Sequence, residues 1–280
     1  MRRPISWSEL ADASVGVWGL GVEGHASVRR LRAMGVVPKL VDEAPGASEF
    51  DGLEVSALNA GGLDALTRCD VVIKSPGISR YRPEVTRLER DGVAVCGGLG
   101  LFMQEADRSK VACITGTKGK STTTALTGRM LEAAGFKVAV GGNIGSPLSA
   151  QVSSSTPDTL HVVETSSFQL EQIETFHPWI AVMLNFSPDH LDRHPTVGAY
   201  GAAKARVFEN QEAGDWKVIN ADDPAVLELA RKGRAQTRLF ARRVPIDQGS
   251  TIEDGWIVDR RVDGPVRDVR LVPLNAIHLL

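Results

Sequence analysis

The chain has 280 residues, long enough for two domains of ordinary size, with 42% hydrophobic and 24% charged residues, the proportions of a soluble globular protein. A formal net charge of −2 gives no reason to expect nucleic acid or an anionic membrane as partner, and apolar runs such as 180–184 are far too short to span a bilayer. Ser6, Ser8, Glu9 and Asp12 interrupt the apolar stretch that a signal peptide would need after Arg2 and Arg3, and Cys69, Cys96 and Cys113 lie in or beside apolar runs without metal-type spacing, so they read as buried reduced thiols of a cytoplasmic protein.

In chain order, residues 14–18 form a short strand. Gly19-Leu20-Gly21-Val22-Glu23-Gly24 follows, then a helix over 25–34 that Gly35 ends. A second strand over 38–41 runs into Asp42. This is a GxGxxG turn with an acidic residue about 20 positions on, as in a dinucleotide-binding unit. It places something phosphorylated at the helix N-terminus without saying which molecule. The strand at 70–73 enters Lys74-Ser75-Pro76-Gly77-Ile78, where Pro and Gly force a tight turn at a strand's C-terminal end. A helix over 82–90 and a strand over 93–96 come next. Gly97-Gly98-Leu99-Gly100 then loosens the chain, and the polar stretch 105–110 reads as a domain boundary.

The strand at 111–114 opens onto Thr115-Gly116-Thr117-Lys118-Gly119-Lys120-Ser121-Thr122 and a helix over 123–134. A glycine-rich turn between strand and helix points backbone N–H groups at one spot, and the helix dipole adds to that field, so the turn suits a phosphate. Lys120 can reach outer phosphates, and the Ser121 hydroxyl is placed to ligate Mg²⁺. The usual pattern separates its glycine from the Gly-Lys pair by four residues; Gly116 and Gly119 are separated by two. Strands at 137–140, 161–163, 180–184 and 217–220 follow, with a glycine-rich turn at 141–145, a solvated loop at 153–157 and a helix at 200–210. Such alternation implies a mostly parallel sheet, and the short apolar runs over 256–280 imply small antiparallel strands.

Residues just after parallel strands converge on one sheet edge. Here they are Lys120, Ser121, Asn143, Glu164, Asn185, Asp189 and His190. Glu164, directly after an apolar strand, is the natural carboxylate for Mg²⁺, with a helix-capping acid as its alternative. His190 and His194 with Asp189 and Asp192 invite a zinc reading, but no cysteine lies nearby and the spacing matches no common zinc pattern. By spacing alone, Lys204 on its amphipathic helix is a solvated charge.

In this order and spacing the motifs resemble the Mur ligases of peptidoglycan synthesis, over nearly all 280 residues. The two glycine turns carry the resemblance, with Ser75-Pro76-Gly77-Ile78, Gly142-Asn143-Ile144-Gly145, Glu164 through Leu170, Asn185 through Arg193, 200–210 and Asn220 through Pro224. The short phosphate loop has this family's form. The resemblance implies an α/β protein with a Rossmann-like N-terminal domain over 1–108 that holds UDP rather than NAD. A central P-loop NTPase-like, ATP-binding domain over 109–280 would be incomplete at its C-terminus, and the family's third domain absent.

By position, Val22, Glu23, Asp42, Ser75, Pro76 and Gly77 would contact UDP, and Asn143, Ser166, Gln169 and His190 would face a muramoyl-alanine part. Gly116, Thr117, Lys118, Gly119, Lys120, Ser121 and Thr122 would bind ATP. Ser121, Glu164, His190 and Lys204 would serve two Mg²⁺ sites, with Lys204 matching the family's carbamylated lysine and with Lys120, Glu164, His190 and Lys204 as the catalytic set. The implied substrates are UDP-N-acetylmuramoyl-L-alanine and glutamate, the D-enantiomer expected, joined through an acyl phosphate by a monomer. Lys118 stands where the family more often has Asn, and Gly98-Leu99-Gly100 replaces a commonly acidic stretch. A subgroup that adds L-glutamate stays open, as does a non-catalytic fragment that binds UDP-sugar but ligates poorly. A folylpolyglutamate synthase relative and an NAD oxidoreductase are the remaining alternatives; the GxGxxG unit argues against the former.

Overall fold

In the computed structural model, residues 4–173, 175–260 and 268–273 are described. The first half alternates β1 (Val15–Trp18), α1 (Val22–Ala33), β2 (Lys39–Asp42), β3 (Glu49–Phe50), β4 (Leu53–Ala57), α2 (Leu63–Leu66), β5 (Val71–Lys74), α3 (Pro83–Arg90), β6 (Ala94–Cys96) and α4 (Gly98–Glu105). The second runs β7 (Val111–Thr115), α5 (Lys120–Ala133), β8 (Val138–Gly142), α6 (Leu148–Ser154), β9 (Leu160–Glu164), α7 (Ser167–Leu170), β10 (Ile180–Met183), α8 (Val197–Glu209), β11 (Trp216–Asn220), α9 (Pro224–Leu229), β12 (Gln236–Phe240), β13 (Gly249–Glu253), β14 (Trp256–Arg260) and β15 (Asp268–Pro273).

These strands build two sheets, of order β3-β4-β2-β1-β5-β6 and β15-β14-β13-β12-β11-β10-β7-β9-β8. Pairing is parallel from β4 to β6 in the first and from β13 to β8 in the second. The pairs β13–β14 and β14–β15 are antiparallel; the tail pattern over 256–280 predicts this for β14 and β15, whereas β13 lies before it, and 261–267 and 274–280 lie outside the described residues. Central strands such as β1 (Val-Gly-Val-Trp) are buried on both faces, hence a continuous apolar run rather than an alternating one. Val17, Val28, Leu31 and Ile73 anchor the core of the first sheet, and Cys113, Val163, Met183 and Phe208 that of the second.

Several expectations need correction. The Gly97–Gly100 segment does not loosen the chain: α4 begins at Gly98, because Leu101 packs into the first core while Leu99, Phe102 and Met103 pack into the second. Burial on two sides outweighs the weak helix propensity of glycine. Part of the stretch read as a solvated loop at 153–157 belongs to α6. The helices α1 and α5 each start three residues early, so Val22 and Glu23, and Lys120 through Thr122, lie in first turns. Cys69 and Cys113 are buried free thiols, whereas Cys96 is only half-buried.

Candidate nucleotide and metal site

The strand β7 delivers Thr115 to the C-terminal edge of the second sheet, and the chain turns through Gly116 to Gly119 into α5. Gly119 has φ of 81°, the left-handed region that a side chain disfavours. Among the described residues no side chain caps α5, so its first-turn N–H groups are open to an anion. The segment after β10 grips the loop. Asn185 Oδ1 accepts the N–H groups of Thr117 (3.1 Å) and Lys118 (2.8 Å), and its Nδ2 donates to the Lys118 carbonyl at 3.0 Å. Thr117 Oγ1 donates to the Ser187 carbonyl and accepts the Ser187 N–H. The Lys120 ammonium folds back onto the Thr117 carbonyl at 3.1 Å.

Lys204 is the main correction to the reading by spacing. It is 2% exposed on α8, and its Nζ donates to the Gly116 carbonyl at 2.8 Å. Burial, then the positive charge of Lys120, pull its pKa down to about 7, against the attraction of Asp189, Cys113 and Glu164. The loop, Lys204 and Glu164 thus share one electrostatic neighbourhood.

Glu164 closes β9, in register with Ile114 and Gly142 of the flanking strands, and is 1% exposed. Its Oε1 accepts Asn143 Nδ2 at 2.9 Å, whereas its buried Oε2 has no partner among the described residues. It does not cap α7, since Ser166 and Gln169 form a capping box there. A buried carboxylate oxygen without a donor fits a cation. Among the described residues no three His, Cys, Asp or Glu gather as a metal cage. A single carboxylate suits Mg²⁺, which keeps waters and phosphate oxygens in its shell; Ser121 stands in the first turn of α5.

His190 sits on the rim, half exposed at φ 51°, with its ring 4.9 Å from that of Phe168. No hydrogen bond joins it to Glu164 or Lys204 among the described residues. Exposed Lys118 lies 3.6 Å from Asp189.

On the first sheet, Asp42 Oδ2 accepts the Leu20 N–H at 2.6 Å and borders a cavity of about 420 Å³ that Leu20, His25, Pro45 and Phe50 also line. Ser75 Oγ donates to the Gly19 carbonyl at 2.6 Å, so the turns after β1 and β5 stand side by side. Val22 is 74% exposed. The Glu23 carboxylate is taken up by the second half, accepting the Ser149 hydroxyl (2.9 Å) and the N–H groups of Leu148 and Ser149; burial raises its pKa. Ser166 and Gln169 satisfy one another in the capping box. A larger cavity, about 600 Å³ beside the edge strand β6, is not lined by the loop residues.

Arg193, outside the sequence-derived site set, joins the two halves: it donates to the carbonyls of Pro76, Gly77 and Ile78 and to Glu171, while beside it His194 Nε2 lies 3.0 Å from Ser167 Oγ. The one signal for Arg193 and His194 is proximity to His190 in an unusually polar run; Glu171 has none.

A model of the Mur ligase middle domain matches residues 114–253, and one of the Mur ligase MurD-like N-terminal domain matches residues 13–97. UDP-N-acetylmuramoylalanine–D-glutamate ligase of Pelotomaculum thermopropionicum is 40% identical over 251 residues, covering 86% of this chain and 54% of that protein. The ligase of the same name from Myxococcus xanthus is 43% identical over 241 residues, covering 83% and 52%. The chain therefore spans about half the length of the curated relatives it matches. The solved UDP-N-acetylmuramate:L-alanyl-gamma-D-glutamyl-meso-diaminopimelate ligase of Neisseria meningitides shares the fold at 17% identity, with a TM-score of 0.58 over 92% of this chain and 84% of that one. A murein peptide ligase of Psychrobacter arcticus superposes with a TM-score of 0.56 at 15% identity, over 90% and 59%. Among the described residues no helix is long and apolar enough to cross a membrane. With the middle-domain family covering half of its residues and a MurD-like N-terminal domain preceding it, the chain belongs to the Mur ligase family.

Proposed function

We propose that this chain carries the UDP-substrate and ATP sites of a ligase that joins D-glutamate to UDP-N-acetylmuramoyl-L-alanine, in the cytoplasm and as a monomer. The names of relatives at about 40% identity support the reaction. The observation that carries the site is the buried Oε2 of Glu164, without a partner among the described residues, in the electrostatic neighbourhood of the phosphate loop.

In this reading residues 1–108 hold UDP, with Asp42 at the cavity and Val22, Glu23, Ser75, Pro76 and Gly77 at the turns. Residues 109–280 hold ATP on the stretch from Gly116 to Thr122. Open N–H groups of α5 receive the phosphates, and Lys120 turns from the Thr117 carbonyl to an outer phosphate. Ser121, Glu164, His190 and Lys204 as its carbamate would hold Mg²⁺ at two sites. Bound Mg²⁺ would offset the repulsion between two anions that must meet. Asn143 orients Glu164, and Asn143, Ser166, Gln169 and His190 face the muramoyl-alanine part. The alanine carboxylate attacks the γ-phosphorus and ADP leaves. The glutamate amine then attacks the acyl phosphate, a C–N bond forms and phosphate departs. Lys204, with its pKa near 7, has a neutral fraction able to take up CO₂.

Titration calorimetry tests the reading. UDP-N-acetylmuramoyl-L-alanine should bind and NAD should not; the opposite pattern overturns it.

A further inference from the structure

We propose that Arg193 is a positioning residue that seats the Ser75–Ile78 turn on the second half and sets the direction in which the Gly77 N–H points, those of Ser75 and Ile78 being spent on the carbonyls of Trp18 and Ser75. The proposal rests on the reading that this turn meets the diphosphate of UDP.

Arg193 belongs to the second half, and its guanidinium crosses to the first. Nη1 donates to the Gly77 carbonyl at 2.6 Å, and Nη2 donates to the carbonyls of Pro76 (3.0 Å) and Ile78 (3.1 Å). Nη2 also donates to Glu171 Oε1 at 3.1 Å; Glu171 is 1% exposed. The guanidinium lies 4.3 Å from the centre of the Phe168 ring. Two further bonds converge on the same seam: Gln172 Nε2 donates to the Pro76 carbonyl at 3.4 Å, and Arg80 donates to the Glu171 carbonyl.

The consequence follows from peptide geometry. A trans peptide carries its N–H opposite its C=O. Drawing the Pro76 carbonyl onto Arg193 turns the Gly77 N–H to the other side, and Gly77 is an exposed residue. The carbonyls of Pro76 and Gly77 face Arg193, and that of Ile78 is shared between Arg193 and the buried Lys74 ammonium at 2.6 Å; cations thus draw three successive carbonyl oxygens away from the Gly77 N–H, which suits an anion there. Only a planar, many-donor cation can hold three carbonyls and a carboxylate at once; an ammonium on a lysine stem has neither the reach nor the fork. The Ser75 hydroxyl, held on Gly19, keeps this turn against the GxGxxG turn.

The test compares wild type, Arg193→Ala and Arg193→Lys by titration with UDP and, separately, with a non-hydrolysable ATP analogue in Mg²⁺. Arg193→Ala should lose tenfold or more in UDP affinity and keep the analogue affinity within twofold. Arg193→Lys should recover only part of the UDP affinity. Unchanged UDP affinity in Arg193→Ala, or an equal loss for both ligands, overturns the proposal. If wild type itself ignores UDP, the functional reading fails, and amide hydrogen exchange decides the clamp. Exchange over residues 75–80 should quicken at least tenfold in Arg193→Ala; unchanged protection sinks the clamp too. Should Arg193→Ala fail to fold, Arg193→Lys and Glu171→Gln carry the same comparisons.

Discussion

Asn143 Nδ2 donates to Glu164 Oε1 at 2.9 Å, and the same glutamate's other oxygen lies buried with no donor among the described residues. In Glu164→Gln the amide oxygen can still accept from Asn143, so stability should change by less than about 1 kcal/mol. The Mg²⁺-dependent part of ATP affinity should fall tenfold or more. Calorimetry with and without Mg²⁺ checks this; an unaltered Mg²⁺ effect would make Glu164 a purely structural acid.

Lys204 makes stability depend on pH. Its folded pKa, about 7, lies below the ordinary lysine value of 10.5. Between those values the unfolded chain binds more protons than the folded one, so stability rises with pH across that window. Wild type should gain about 2 kcal/mol relative to Lys204→Met between pH 7 and 9. Urea unfolding at both pH values measures it, and parallel behaviour of the two proteins would contradict it. In ¹³C-bicarbonate at pH 8, wild type should show a carbamate carbon resonance that Lys204→Met lacks.

Asn185 separates loop support from loop charge. Asn185→Ala removes the side-chain acceptor for the Thr117 and Lys118 N–H groups, at a cost of about 1–2 kcal/mol, with weaker ATP binding. Asn185→Asp keeps both acceptors, but it replaces the Nδ2 donor with an oxygen that faces the Lys118 carbonyl and adds a negative charge to the loop. It should be the poorer ATP binder of the two. Equal ATP affinities for the two would remove the electrostatic argument.

At Gly98 a Cβ would stand 2.3 Å from Glu23 Oε1, the oxygen that accepts the Ser149 hydroxyl. Gly98→Ala must push the carboxylate off α6, costing about 1–3 kcal/mol. Adding Glu23→Ala should recover much of that loss, because the clash disappears with the carboxylate. Chemical denaturation of the single and double variants gives the coupling; strict additivity would deny the contact.

Many of the parallel strands were legible as short apolar runs stopped by a chemistry-bearing residue: Trp18 before Gly19, Val41 before Asp42, Val163 before Glu164; β4, β12 and β13, whose runs are broken by polar residues such as Glu54, Arg238 and Ser250, were not read as strands. The turn between β7 and α5 was legible from Gly116 and Gly119. Tertiary facts were not. Lys204 shares the buried stripe of α8 with Tyr200, Val207 and Phe208, at i−4, i+3 and i+4, but a charged residue there read as solvated because its acceptor, the Gly116 carbonyl, comes from a distant loop. The α4 helix hides behind Gly98 and Gly100 because two cores, not local propensity, hold it. Arg193 looks like one more charge in a polar loop until the carbonyls of Pro76, Gly77 and Ile78, over a hundred residues away, close on it.

The affinity for ATP in Mg²⁺, measured by calorimetry on wild type and Lys120→Ala, tests the central claim most directly. Binding to the wild type with at least a tenfold loss in the variant is the predicted result. Equal affinities, or no binding to the wild type, would contradict it.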